Sequence, residues 1–284
     1  MSEREYKDRD VSDAHDIFLV PAQYDSIQAA VAAIERPTTI VVAPGIYRET
    51  IVVADKPYVV IQSAALSRRG VTLAGADGAE AVLLVDHATV HLSGIHVRSN
   101  ARMRGISVRH GAISLQDCTV AGNRIVDGNG AGMECHGSSV RIQKSTIAGN
   151  VIDGGDEIAG AGLFFDACRI EIAGSNVQTN AGYAQRKASG GGIWCDASRM
   201  RMWKSRVTDN VLAAPECAGA GIYARASLRC DLGGSVISGN DQSTGRGGGI
   251  FIDGDPASVA IHRNTVVRQN YPDDVSRRKN CFLL

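Results

Sequence analysis

The chain has 284 residues, with 30 Lys+Arg against 30 Asp+Glu, so its formal charge is zero. It lacks the basic field that non-specific binding to nucleic acid or to an anionic membrane needs, and neither partner is expected. A content of 44% hydrophobic and 21% charged residues is that of a globular protein and excludes a disordered one. Thirty-two glycines beside seven prolines and 5% aromatics point to many tight turns and close backbone contacts.

Residues 1–23 form an N-terminal segment that opens MSEREYKDRDVSDAHD. It is charged and has no apolar core, so no secretion signal is expected. No run reaches the ~18 apolar residues of a membrane span. Seven cysteines, an odd number without a CxxC pair, fit free thiols in a reducing, cytoplasmic setting. Residues 24–36 read as a capping helix. Asp25 to Ile34 carries an N-cap and apolar residues at helical spacing, and it stops before Pro37. Beyond it Ile40, Val42, Ile51, Val53, Val59 and Ile61 alternate as strands, with a turn at Pro44-Gly45.

From residue 105 the chain divides into coils that each open with Gly and an apolar residue and close with Asn. The asparagines are Asn100, Asn123, Asn150, Asn180, Asn210, Asn240 and Asn270, spaced 23, 27, 30, 30, 30 and 30 apart. Within a coil the apolar period is two. Ile193 and Cys195 face one way, Trp194 and Asp196 the other; Met200 and Met202 repeat the inward pattern, and Val207 starts a third strand. The pattern predicts an all-β solenoid of parallel strands in three short sheets, about nine or ten coils over residues 37–272, with a tail at 273–284. Parallel stacking sets equivalent residues ~4.8 Å apart. The asparagines then form a ladder at a corner expected to use left-handed backbone geometry, which suits Asn.

The segments Ile27-Gln28-Ala29-Ala30-Val31 and Ile40-Val41-Val42-Ala43-Pro44-Gly45-Ile46-Tyr47-Arg48-Glu49 resemble the opening of pectinesterases. With the Gly-Gly-Gly-Ile coils at 190–193 and 247–250, roughly residues 24 to 270 are similar to the pectin-lyase-like superfamily. The resemblance implies a single-stranded right-handed parallel β-helix with an N-terminal capping helix and a ligand groove along one sheet. It implies no single reaction. The Phe-Gly-Asn element of pectinesterases and the Gly-His-Gly of polygalacturonases do not occur, and Asp253-Gly254-Asp255-Pro256 only faintly echoes the alginate epimerases.

Stacking turns the sequence into columns. Two residues after each opening Gly stand Ser107, Glu134, Phe164, Trp194, Tyr223 and Phe251. Four residues after it stand Arg109, His136, Asp166, Asp196, Arg225 and Asp253, with Asp86 one coil earlier. Both columns face outward on one sheet. Aromatic faces beside polar groups suit sugar rings. The segments between Asn and the next Gly (124–131, 151–161, 181–191, 211–220 and 241–248) read as variable loops walling the strip, and they bring Arg186 and Lys187 towards a ligand. Carboxyls of Asp166 and Asp196 ~5 Å apart would split into one acid and one base, the separation of a retaining glycosidase. His136 is an auxiliary proton carrier and Arg225 an anion clamp. The catalytic set is therefore Asp166, Asp196, His136 and Arg225. The binding set is Glu134, Phe164, Trp194, Tyr223, Phe251, Asp253, Arg109, Arg186 and Lys187.

This predicts a cytoplasmic carbohydrate-active or related enzyme that hydrolyses, eliminates or epimerises a polyhydroxylated ligand, acidic or neutral, bound in a groove along that sheet. The alternatives are a non-catalytic glycan- or protein-binding module, or a homo-oligomeric scaffold that buries the strip. The second sheet, with Ser114, Arg141, Glu171, Arg201 and Arg229, reads as a solvated face. The spacing of His87, His91 and His96 does not bring three histidines together on a β-coil, so no metal site is assigned. No cofactor is expected, Ca²⁺ on Asp166, Asp196 or Asp253 being the alternative. Cys135, Cys195 and Cys230 fall at inward positions as small core residues. Cys281-Phe282-Leu283-Leu284 has the form of a prenylation box, which would add a membrane anchor if used.

Overall fold

The computed structural model describes residues 15–65, 70–99, 102–225 and 229–277. Asn100 and the box at Cys281 lie outside them. Three parallel sheets of ten, nine and nine strands run the length of the molecule, forming a right-handed β-solenoid. One coil consists of Ile193–Asp196 in the front sheet, Arg199–Trp203 in the back sheet and Arg206–Thr208 in the third sheet. Ile193, Cys195, Met200, Met202 and Val207 of this coil all enter the central core, because alternate residues of a strand point to opposite faces. Cys135, Cys195 and Cys230 are core residues as well. Burial pushes the thiols of Cys118 and Cys168 up to about 11, which keeps them in the protonated form near neutral pH.

The open end of the solenoid is closed by the helix Ile27–Ala32. Its N-cap is Ser26, whose hydroxyl accepts from Ala29 N. Glu49 also caps it, accepting from Ile27 N and Gln28 N at 3.0 and 2.8 Å, where the helix dipole favours a carboxylate. Ile27, Ala30, Val31 and Ile34 are buried in the core, and each large side chain of this kind is worth ~1.5–3 kcal/mol. A further strand, Asp16–Val20, precedes the helix and pairs in parallel with Thr38–Val42. At the other end the front sheet continues to Val275–Arg277, past the solenoid end read at residue 272.

The corner between the third sheet and the next coil carries the asparagine ladder. The Nδ2 of Asn123, Asn150, Asn180, Asn210 and Asn240 donates to the Oδ1 of the next asparagine at 2.8–2.9 Å. The same Oδ1 accepts the backbone N–H of the asparagine below, at 3.1 Å for Asn150 on Asn180. The second Nδ2 hydrogen reaches a strand carbonyl, as from Asn210 to Val177 O at 3.1 Å. The column ends on Asp274, which accepts both N and Nδ2 of Asn270.

The asparagines do not take the left-handed backbone. Positive φ falls one residue earlier, at Gly122, Gly149, Thr179, Asp209, Gly239 and Gln269. The chain reverses there, and the asparagine that follows turns its amide inward to serve the neighbouring coil. The opening glycines belong to the same device. A Cβ on Gly192 would lie 2.7 Å from Gly221 O and 2.9 Å from Asn210 Nδ2, so the amide fits only against a bare Cα. A second ladder stands at the corner of the back and third sheets. There the backbone N–H groups of Ser145, Ser175 and Ser205 each donate to the next serine Oγ at 3.1–3.2 Å.

The segments expected as loops are strands. Arg124–Ile125, Val151–Asp153, Ala181–Tyr183, Val211–Ala213 and Asp241–Gln242 form a five-stranded parallel sheet, and Glu157–Ala159, Lys187–Ser189 and Glu216–Ala218 a three-stranded one. These wings have their own small core of Ile125, Ile152, Ile158, Ala188, Leu212 and Cys217.

Replacing Asn210 by Ala leaves the N–H and one amide hydrogen of Asn180 without their acceptor and removes the donor to Val177 O and Asn240 Oδ1 in the interior, which costs about 3–5 kcal/mol. The same change at Asn270, at the ladder's end, costs less, and urea unfolding curves measure both. His96 gives a pH dependence. Burial, then Arg98, hold it below the ordinary histidine value, and its buried Nε2 has no hydrogen-bond partner among the described residues. The unfolded chain binds that proton first, near pH ~6.5, so stability falls as the pH drops from there towards the lower folded value. His91, lowered by burial, adds the same sign. His96→Gln removes its share of the acid loss, read as the difference between urea midpoints at about pH 7.5 and pH 5.5.

Candidate functional site

Both outward columns lie in continuous register. Ser107, Glu134, Phe164, Trp194, Tyr223 and Phe251 are successive neighbours in the front sheet, as are Asp86, Arg109, His136, Asp166, Asp196, Arg225 and Asp253. The four aromatic rings stack on one another. Phe164 and Trp194 have centroids 4.3 Å apart at 3°, Trp194 and Tyr223 6.2 Å at 3°, and Tyr223 and Phe251 5.5 Å at 15°. Ring faces therefore meet ring faces, and only the edges remain for a ligand. This corrects the expectation of exposed faces for sugars: parallel strands set their side chains close to the stacking distance of aromatic rings, and the rings take each other first. Phe164 and Tyr223 are buried between the front sheet and the wing.

The crease between the aromatic column and the three-stranded wing is a groove. It holds two cavities of about 270 and 190 Å³ that share Lys187 and Tyr223. Glu157, Lys187 and Glu216 stand in register along the wing wall, with Trp194 and Arg225 on the front-sheet side. Lys187 has no ion-pair partner among the described residues, and it lies between the two acidic neighbours. Arg186 is otherwise engaged. Its hydrogen bond to Asp156, 3.0 Å from Nε, and a contact to Glu157 hold the guanidinium above its ordinary value, and it does not line the groove.

In the charged column the two central carboxylates turn to opposite partners. Asp166 Oδ2 lies 3.4 Å from His136 Nδ1, and its side chain is 44% exposed. Asp196 Oδ2 lies 2.9 Å from Arg225 Nε, with 10% of its side chain exposed, and its Oδ1 accepts from Ala197 N. The Arg225 guanidinium sits 5.9 Å from the Trp194 ring centre. Asp253 accepts the Tyr223 hydroxyl at 2.6 Å. His136 and Arg225 are three strand spacings apart, ~14 Å, which is too far to serve one reacting bond.

His136 stands between two carboxylates. Its Nε2 is 3.4 Å from Glu134 Oε1, and Phe164 packs beside the ring at 5.4 Å. Glu134 is nearly buried and is held by Arg104 at 2.8 Å. Arg104 also reaches Glu80 at 2.6 Å and Asn129 O at 3.3 Å, and Arg109 binds the same Glu80 oxygen at 2.8 Å. Arg104 and Glu80 escaped the column reading because Arg104 precedes the opening Gly105 and Glu80 precedes its strand. A larger depression of about 410 Å³ lies on the back sheet around Tyr58, His91, Ser114 and Arg141. There Arg141 is taken by Glu171 at 3.0 Å, and no carboxylate–imidazole pair is present among the described residues.

His87, His91 and His96 lie apart, at a corner, on the back sheet and on the third sheet. No helix among the described residues is long and apolar enough to cross a membrane.

No curated protein matches the chain. Among solved structures, the pectin methylesterase from Aspergillus niger overlays with a TM-score of 0.44 at 13% identity, covering 93% of this chain and 85% of that one. Escherichia coli ybhc overlays at 0.37 and 12%, with the same coverage. Overlays this loose carry no inference about activity. The family model described as the right handed beta helix region matches residues 80–266, and with the parallel three-sheet solenoid it settles membership: the chain belongs to the right-handed β-helix family.

Proposed function

We propose that the protein is an enzyme that abstracts or returns a proton on an acidic, polyhydroxylated carbohydrate held along the groove. The observation that carries the reading is His136, held between Glu134 and Asp166 and packed beside Phe164, which lines an elongated groove that also presents Lys187 and Arg225. An imidazole oriented by carboxylates is suited to general acid–base work. Lys187 and Arg225 offer cations to ligand carboxylates, and the edges of Trp194 and Phe251 supply apolar floor. Asp166 is the exposed carboxylate of the central pair, while Asp196 is committed to Arg225. Proton abstraction, as in elimination or epimerisation, therefore fits better than hydrolysis by two free carboxyls. In this reading the protein works in the cytoplasm, where its buried thiols stay reduced.

A binding module without turnover is the second reading. It is favoured by the groove lining, which includes Lys187, Trp194 and Arg225 but neither His136 nor Asp166. A thermal-shift screen against uronates and their oligomers, followed by turnover assays on the binders, separates the two. Under the enzymatic reading His136→Gln and Asp166→Asn each lower kcat by about 100-fold or more and change KM little. Turnover unchanged in both variants refutes it. Lys187→Ala raises KM for an acidic ligand by about tenfold with little change in kcat, the loss expected for one charged contact. It leaves a neutral oligosaccharide unaffected.

A further inference from the structure

Asp86 ends the front-sheet strand Ala81–Asp86, and His87 follows it in the corner. One coil later the strand Arg104–Arg109 is followed by His110 at the equivalent corner position. Both histidines take the left-handed backbone, with φ of 46° and 49°. Each is pinned by its amide to the next coil: His87 N donates to Arg109 O at 3.1 Å and His110 N to His136 O at 3.0 Å. Two imidazoles thus project from the same rigid corner, one strand spacing apart. Their centroids are 5.1 Å apart at 25°. Asp86 Oδ1 lies 2.9 Å from His87 Nδ1. The next corner residue is Gly137, where a Cβ would lie 3.2 Å from His110 Cδ2, so its missing side chain leaves the ring its place. Arg109, the register neighbour of Asp86, turns to Glu80, and among the described residues the carboxylate of Asp86 has only His87 for an ion partner.

One ligand atom from each of Asp86, His87 and His110 lies within 4.8 Å of the other two. Ligands ~2.0–2.2 Å from a tetrahedral ion are ~3.4 Å apart, a contraction that exposed side chains reach by small χ rotations. Two imidazoles with one carboxylate suit borderline divalent ions, whereas calcium and magnesium take oxygen ligands. We propose that Asp86, His87 and His110 form a binding site for a transition-metal ion of the zinc and nickel class, open to water on its solvent side. Asp86 lies on the charged column two coils from His136, and His110 follows that column one coil from it; the site stands independently of the function proposed for the groove.

The test is calorimetric titration of the untagged full chain with Ni²⁺ and, separately, Zn²⁺. One equivalent is expected to bind with a dissociation constant below about 100 μM. H87Q and H110Q should each weaken it by about tenfold or more, a loss of ~1.4 kcal/mol or more, while H91Q, on the back sheet, leaves it unchanged. Urea midpoints of the variants equal to that of the parent show that the corner has stayed folded. Absence of binding up to about 100 μM of either ion, or an unchanged affinity in the H87Q/H110Q double variant, overturns the proposal.

Discussion

The side-chain amide of one asparagine bonding the next, coil after coil, is the constraint on which the rest of the molecule depends. A solenoid has no contacts beyond the adjoining coil to hold its register, since each turn touches only its neighbours. A slip by one residue would expose the whole inner face of a strand. The ladder prevents this because a buried amide such as that of Asn210 uses both its hydrogens and accepts two donors from the adjoining coil. A displaced coil would leave several polar groups unpaired inside, at ~1–3 kcal/mol each. The glycine column makes the device feasible by clearing space for the amide, and the serine ladder repeats it at another corner with a hydroxyl in place of an amide.

Fixed register makes columns, and columns make chemistry. Once strands repeat at ~4.8 Å, aromatic residues at equivalent positions stack, and alternating charges pair along the sheet. Both tendencies use up groups that a sequence reading would assign to a ligand. The stack consumes the faces of Phe164, Trp194 and Tyr223, and Arg225 consumes Asp196. What remains is asymmetric: His136 with Asp166 beside the Phe164 end of the stack, Lys187 and Arg225 in the groove. The wing matters as much as the ladder. It converts a flat sheet face into a crease, by packing Ile152, Ile158 and Leu212 into a core separate from the central one.

Much of this was legible beforehand. The 30-residue interval between asparagines and the period-two alternation at Ile193, Cys195, Met200 and Met202 specify parallel in-register coils without reference to any structure. The wings were not legible, because three-residue strands such as Glu157–Ala159 bury a single side chain and show no alternation to read. The helix, capped by Ser26, runs over Ile27–Ala32 and is shorter than the 24–36 read from the sequence, and the left-handed residue precedes each asparagine. Both are displacements of a few positions, below the grain of pattern reasoning. His87 and His110 are 23 residues apart, the same interval as Asn100 and Asn123, so their meeting was implicit in the coil length.

The amino-acid sequence by itself determined the solenoid, its register and which side chains share a column, because these follow from a period and from buried polar groups that can be satisfied in one alignment only. Only the tertiary structure decided which way the rings turn, which carboxylate keeps its exposure and where a wall rises beside the sheet. Those outcomes are set by competition among neighbours for the same few contacts, and a linear pattern records the competitors without recording who wins.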